Sequence, residues 1–371
     1  MPGHEQPTAT LRNERGIALI IVLIIVALLT ITVTEFTYSV QLDQHRVRNS
    51  IHALQAALLA RSGVNLAEGF LVEDDEPAYD AFTEQWWLDL NEFCRGVELD
   101  PTMRIRCRVQ DESGKINVNL TRVTGAGRRR SQQQQVTRDA ILRDALRRLF
   151  EAHNIDVELV DRLVEHWQQE PAELPNGMRV PIADFTSLES FGATLGISTP
   201  QLRELRNSLT AEPRGFLRGI NINTAPAEVL AAVLNDASAV AQILDRQQQE
   251  EPFTNGGEIN DVLPDVEYRN ALRSLFTVNS RLFRLEASAL TNVDPADPYG
   301  GGIGQTVSEL VYRRPALGLR RDDSDGPRWT LQPLDWQKEG GARLFWQTEA
   351  DADRTATPGA TDARDMNSFD R

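Results

Sequence analysis

Arg15-Gly16-Ile17-Ala18-Leu19-Ile20-Ile21-Val22-Leu23 opens an apolar run that lasts to about Val33. No charge interrupts it between Arg15 and Glu35, and Thr30, Thr32 and Thr34 are its hydroxyl residues. As a helix rising about 1.5 Å per residue, the roughly 19 charge-free residues cover about 28 Å. A bilayer hydrocarbon core is about 30 Å thick, so the segment reads as one membrane-crossing helix. A secretory signal has a shorter apolar region followed by a small-residue cleavage site. Here the run ends Thr30-Ile31-Thr32-Val33-Thr34 and offers no such site. The small residue with a basic neighbour is Gly16, on the N-terminal side. A cut between Gly16 and Ile17 would remove a polar leader, residues 1–16, and leave the apolar helix at the new N-terminus.

That arrangement resembles a class III signal of the prepilin type, read by a prepilin peptidase on the cytoplasmic face. The alternative is an uncleaved signal anchor with a chance glycine before it. Arg12 and Arg15 precede the run, as the positive-inside rule expects of a cytoplasmic end. Glu5 and Glu14 offset them, and Arg46 and Arg48 follow on the far side, so charge bias alone does not orient the helix.

The helical pattern continues beyond the membrane run. Glu35 to Ser62 holds neither proline nor glycine, and Val40, Val47, Ile51, Leu54 and Leu58 recur at helical spacing. These five form a candidate partner-binding stripe, where stems pack as a bundle. Gly63 and Gly69 weaken the pattern, and Glu73-Asp74-Asp75-Glu76-Pro77 ends it. Residues 17–73 therefore read as a membrane and stem helix.

Composition narrows the function classes. The chain has 371 residues, a net charge of -15 and a pI near 4.9. A general nucleic-acid binder needs Lys and Arg clusters for phosphate, which this balance disfavours. Cys94 and Cys107 are the two cysteines. They are free thiols in a reducing compartment and one disulfide if the segment is exported. No nucleophile elbow, HExxH or P-loop is present, and Gly114-Lys115 lacks the upstream glycine of a Walker motif. The five histidines are scattered. No enzyme is expected.

Strand signals bracket a helical block. Met103-Arg-Ile-Arg-Cys-Arg-Val109 alternates strictly, with a solvated basic face expected. Strand character returns in Phe276 to Ala289 and Gln305 to Arg313, after the short helices of residues 136–276. Trp86 and Trp87 read as a buried cluster. Gly125 to Gln135, with three arginines and four glutamines, reads as a flexible insertion. Residues 316–371 turn polar and read as a disordered tail. One antiparallel sheet with a helical insertion explains this order better than three separate domains.

A phrase repeats inside the block. Ile116-Asn-Val-Asn-Leu120 recurs about 104 residues later as Ile220-Asn-Ile-Asn-Thr224. Its isoleucines are expected to face inward while its asparagines turn the chain and cap the coming helix. The second copy, continuing Ala225-Pro-Ala-Glu-Val-Leu-Ala-Ala-Val233, resembles a helix-hairpin-helix of competence DNA receptors. The Gly-apolar-Gly hairpin whose amides contact phosphate is replaced by Leu234-Asn-Asp-Ala-Ser-Ala239, so DNA binding is not expected there.

Together, Arg15 to Leu19 with the anchor, Asp111-Glu-Ser-Gly-Lys-Ile-Asn-Val-Asn119, Ser187-Leu-Glu-Ser to Gly196-Ile197, Gly219-Ile-Asn-Ile-Asn-Thr-Ala225 and Asn279-Ser-Arg-Leu-Phe-Arg-Leu285 resemble the general secretion pathway protein K family. These are minor pseudopilins of type II secretion, and the pieces cover residues 15 to about 314 in the family's order. The resemblance implies an α+β pilin-like fold with an inserted all-α, SAM-like or helix-hairpin-helix-like domain. The expected division is 74–120 for the first pilin-like segment, 121–275 for the insertion and 276–315 for the second segment. Implied partners are minor pseudopilins I and J, other pseudopilus and inner-membrane secretion components, and prepilin peptidase. The implied place is the inner membrane of a Gram-negative bacterium with the bulk in the periplasm. The implied role is at the pseudopilus tip, initiating assembly and helping export folded proteins across the outer membrane. The alternative is a membrane-anchored periplasmic module that binds DNA or an exported substrate through the helical domain.

Two departures stand out: the insertion at 128–135, and His166-Trp-Gln-Gln-Glu170, which lacks the acids of an Asp-Trp-x-Asp pattern. The latter weakens a metal site in that loop. Asp294 and Asp297 are weak calcium candidates, and no cofactor is certain. The fifth residue after the expected cut is Ile21, where major pilins place a glutamate. That glutamate would need a positive partner, the N-terminal amine of a neighbouring subunit. Ile21 needs none, which fits an end position; it equally fits a membrane helix without a polar residue.

Overall fold

The computed structural model describes residues 11–76, 78–122, 129–169, 172–173, 179–180, 182–216, 219–249, 251–294, 302–315 and 329–340. Helix α1 (Leu11–Val72) runs unbroken from the membrane-apolar run into the folded part. Residues Gly16 to Ile51 are exposed along it, and burial begins at its C-terminal third. There Ala56, Ala60, Val64, Ala67 and Leu71 are wholly buried, one per helical turn. They lie on a five-stranded sheet of order β1-β2-β9-β10-β11, reached after α2 (Gln85–Arg95).

The sheet strands are β1 (Val97–Asp100), β2 (Met103–Asp111), β9 (Leu282–Thr291), β10 (Ile303–Pro315) and β11 (Trp329–Gly340). Every neighbouring pair is antiparallel. Register sets the inner face: Cys107 lies opposite Ala287, and Ala287 opposite Val307. Alternation along β2 sends Ile105 and Cys107 to the helix side. Small residues let helix and sheet approach closely. A Cβ on Gly63 would stand 3.0 Å from Ile105 Cγ2 and 3.1 Å from Ala287 Cβ. Trp86, Trp87 and Leu90 of the α2 region close this core.

The chain leaves the sheet after β2 and returns at β9, and the helical block between has its own core. Two similar halves make it. The first runs β3 (Ile116–Asn117), α3 (Arg129–Ala152), α4 (Glu158–Gln168), the small hairpin β4 (Ala172–Glu173) and β5 (Arg179–Val180), α5 (Leu188–Leu195), α6 (Thr199–Leu205) and β6 (Leu209–Thr210). The second runs β7 (Ile220–Asn221), α7 (Ala227–Leu234), α8 (Ala237–Gln248), α9 (Ile259–Val262), α10 (Arg269–Arg273) and β8 (Phe276–Thr277). In each half the first strand pairs in parallel with the last, β3 with β6 and β7 with β8.

The repeated phrase is the clasp of each half. Asn117 Oδ1 accepts from Asn119 N at 3.1 Å, and Asn221 Oδ1 accepts from Asn223 N at 3.0 Å. Asn119 then grips the backbone of Phe185, accepting from its N–H at 2.8 Å and donating to its carbonyl at 2.8 Å. Asn223 does the same with Phe253, at 2.8 and 3.0 Å. The isoleucines face inward. The asparagines turn the chain, yet they do not cap α7, whose N-cap is Pro226 without a side-chain bond. A carboxamide has both donor and acceptor, and here both satisfy backbone groups at the centre of the block.

Two expectations change. Arg129–Gln135, expected within a flexible insertion, are the first turns of α3, because Arg and Gln propagate a helix well and no glycine or proline intervenes. Residues 123–128 lie outside the described residues. The tail expected at 316–371 contains β11, which pairs with β10 from Gln305 to Pro315. It reads as polar because it is an edge strand, where Pro333 is tolerated. Its anchor is Trp329, 6% exposed. Residues 316–328 and 341–371 lie outside the described residues.

Candidate partner-binding stem and its junction with the sheet

At about 100° per residue, the stripe Val40, Val47, Ile51, Leu54 and Leu58 points roughly 150° away from the buried stripe of Ala56 to Leu71. The structure leaves all five exposed, from 38% at Val40 to 61% at Leu54 and Leu58. One helix thus carries two apolar faces, of which one meets its own sheet. The inner face is held by charge as well as packing: Arg61 pairs with Glu309 of β10, a carboxylate 1% exposed. Gly16 and Ile17 lie within α1, where Ile17 and Ile21 are exposed.

Where the stem ends, one cation organises the turn. Arg313 of β10 is wholly buried. Its guanidinium donates to Asp74 at 2.9 Å and to Asp80, binding both sides of the turn after α1. The rings of Trp86, Phe283 and Trp329 surround it, with the guanidinium carbon 5.2, 5.0 and 4.4 Å from their centroids. Trp329 Nε1 donates to the Asp74 carbonyl at 3.0 Å, which ties β11 to the stem. The Asp80 carbonyl accepts from Asn221 and Asn223 at 3.0 and 3.2 Å, which ties the helical block to the same turn. Asp111 accepts from Thr224 and Ser280 hydroxyls. Burial raises the Asp74 and Asp111 carboxyls to about 6 each, against the lowering pull of Arg313 on the first and the hydroxyl bonds on the second.

Cys94 and Cys107 are joined, linking α2 to β2. Of the calcium candidates, Asp294 lies just past β9 and Asp297 lies outside the described residues. No group of three or more His, Cys, Asp or Glu able to hold a metal ion occurs among the described residues. A cleft of about 950 Å³ separates the outer sheet face from α5 and α6, lined by Arg108, Arg203, Arg206, Phe216 and Leu310 among others. At its inner end Glu112 pairs with Lys115 at 2.8 Å and with Arg284 at 3.2 Å.

Sequence reasoning reached the stripe and missed the junction. The acids of Glu73 to Glu76 read as a helix stop, and Arg313 stands 233 residues from Asp80. No local pattern marks a partner that distant.

Residues 220–279, the second half of the helical block, match the family model for Type II secretion system (T2SS), protein K. The Type II secretion system protein K of Pseudomonas aeruginosa is 29% identical over 267 residues, covering 64% of this chain and 74% of that protein. The chain is thus similar to type II secretion system protein K, in the second half of its helical block and along much of its length. Its α+β fold, with a long apolar N-terminal helix and antiparallel sheet, has a solved counterpart. The crystal structure of the GspK-GspI-GspJ complex from the type 2 secretion system of enterotoxigenic Escherichia coli contains a chain matched with a TM-score of 0.53 at 17% identity. The match covers 80% of this chain and 100% of that one. Members of this family are parts of a secretion apparatus, and the apolar run fits membrane anchoring.

Proposed function

We propose that this chain is a minor pseudopilin that stands at the tip of a periplasmic pseudopilus with minor pseudopilins I and J. It is anchored in the inner membrane by α1 after cleavage between Gly16 and Ile17. There it initiates assembly and helps export folded proteins; it has no enzymatic role. The observation that carries this reading is the two-faced stem. The membrane helix continues into the folded part while its Val40 to Leu58 stripe stays exposed on the side away from the sheet. Exposed apolar rows of this length bury themselves against other helices, as in coiled coils. In the Escherichia coli protein, GspK forms a complex with GspI and GspJ, and partners of that type fit this stripe.

Two features favour an end position. Ile21 supplies no carboxylate for the amine of a subunit above it, and the helical block is bulky for a packed shaft. Replacing Ile51 and Leu54 together with aspartate puts charge in the bundle, where burying each one unpaired costs several kcal/mol, about 2 or more. Co-purification with pseudopilins I and J should then be lost, while the circular dichroism melt of the helical block stays unchanged. Retention of the complex by the double variant would refute the stem reading. DNA retained by the purified protein in a salt-dependent manner would favour the binding-module alternative instead.

A further inference from the structure

The turn between stem and sheet contains a carboxyl group that the Arg313 network does not serve. Glu84, the residue before α2, is 9% exposed. Its Oε2 accepts from Ala81 N at 2.7 Å. Its Oε1 is buried with no hydrogen-bond partner among the described residues. The cation of this junction is already engaged, because Arg313 is bonded to Asp74 and Asp80. Trp86 Nε1 faces the carboxyl without forming a hydrogen bond of ordinary geometry; it favours the ionised form, but it carries no charge.

The charges around the turn are unbalanced as well. From the segment itself, Asp74, Glu76, Tyr79 and Asp80 act on Glu84 or on its neighbours. Arg313 enters from β10, Arg281 from the start of β9 and Asp111 from the end of β2. Asp74, Asp80, Glu84 and Asp111 are all at most 9% exposed. Four ionised carboxylates facing the buried Arg313, with the half-buried Arg281 acting on Asp80, would still leave uncompensated negative charge in a site walled by Trp86, Phe283 and Trp329. Such a site lowers its energy by keeping protons.

We propose that the stem–sheet junction is a proton-held latch: Glu84 stays a neutral acid in the folded protein near neutral pH, and its ionisation loosens the 73–84 turn that sets the stem against the sheet and helical block. Burial is the main cause, and Asp80 and Asp74 add to it, pushing the Glu84 carboxyl up to about 8. The folded state therefore binds a proton that the unfolded turn releases. Its stabilising effect is complete below the ordinary glutamate range and is lost as pH rises through about 8. The same turn carries the bonds from Asp80 to Asn221 and Asn223 and from Trp329 to Asp74. A loosened turn thus frees the stem from β11 and from the helical block together. The latch operates whether or not the stem binds pseudopilins.

Hydrogen–deuterium exchange of the full-length protein in detergent, corrected for intrinsic rate, tests it. Between pH about 6 and about 9, protection of residues 73–84 should fall about tenfold or more relative to helix α3, by proton linkage. Glu84→Gln should abolish that fall and keep the turn protected at the higher pH. Equal protection at both values in the native protein, or an unchanged fall in Glu84→Gln, overturns the latch. Should the variant fail to fold, carboxyl carbon shifts of the native protein decide. Glu84 assigned and titrating well above the usual range, distinct from Glu68 which burial also raises, supports the latch, and Glu84 titrating near about 4.3 overturns it.

Discussion

Single residues decide how closely the stem can sit. Gly63 looks in the sequence like a blemish in a helical pattern; in the structure it is the contact point between α1 and the sheet. Gly63→Val places branched methyl groups against Ile105 and Ala287, and overpacking of this kind destabilises by about 1–3 kcal/mol. A urea titration should show a lowered midpoint with an unchanged slope, whereas Gly69→Ala, which meets nothing within 4 Å, should be neutral or stabilising. An unaffected Gly63→Val would mean that helix and sheet are less tightly apposed than described. The asparagines of the repeated phrase were legible as turn formers. Their grip on Phe185 and Phe253 was not, since a carboxamide's long-range partner leaves no trace in local spacing. Asn119 and Asn223 are buried at 0% and 3% exposure, so each serves the centre of its half rather than a helix end.

At the scale of elements, the membrane helix, β2, β9 and β10 were readable because their periodicities are long and uninterrupted. The first turns of α3 and the edge strand β11 were not. Arg-Gln repeats and a polar strand resemble disorder when composition alone is weighed, and only pairing with β10 identifies β11. Helix α2 is short and is stapled to β2 by Cys94 and Cys107, 13 residues apart in sequence. Closing a loop of that size limits the unfolded chain by about 3 kcal/mol in the chain-entropy model. Reduction should therefore lower the thermal midpoint of the sheet domain, and Cys94→Ala with Cys107→Ala should reproduce the shift without added reductant. A reduced protein that melts at the native temperature would show that packing of Trp86 and Leu90 suffices to hold α2. The twofold pattern of the helical block was half visible: the repeated phrase announced it, but the equivalent left-handed asparagines that turn the first hairpin of each half, Asn154 and Asn235, carry no local signal that pairs them.

For the whole molecule, one helix joins a membrane to a sheet, and one buried arginine joins that sheet to the stem's end and, through Asp80, to the helical block. The consequence is a body that hangs on its stem as a unit, with the Val40 to Leu58 row free for other helices. Such a body suits an end of a filament better than its interior, because Ile21 offers nothing to a subunit above and the helical block adds width. That end position is the central claim, and it is tested most directly by crosslinking in assembled pseudopili from a photoreactive residue at Leu58. A tip subunit should give adducts with minor pseudopilins and none with a second copy of itself. A ladder of adducts between copies of this chain would place it along the shaft and contradict the account.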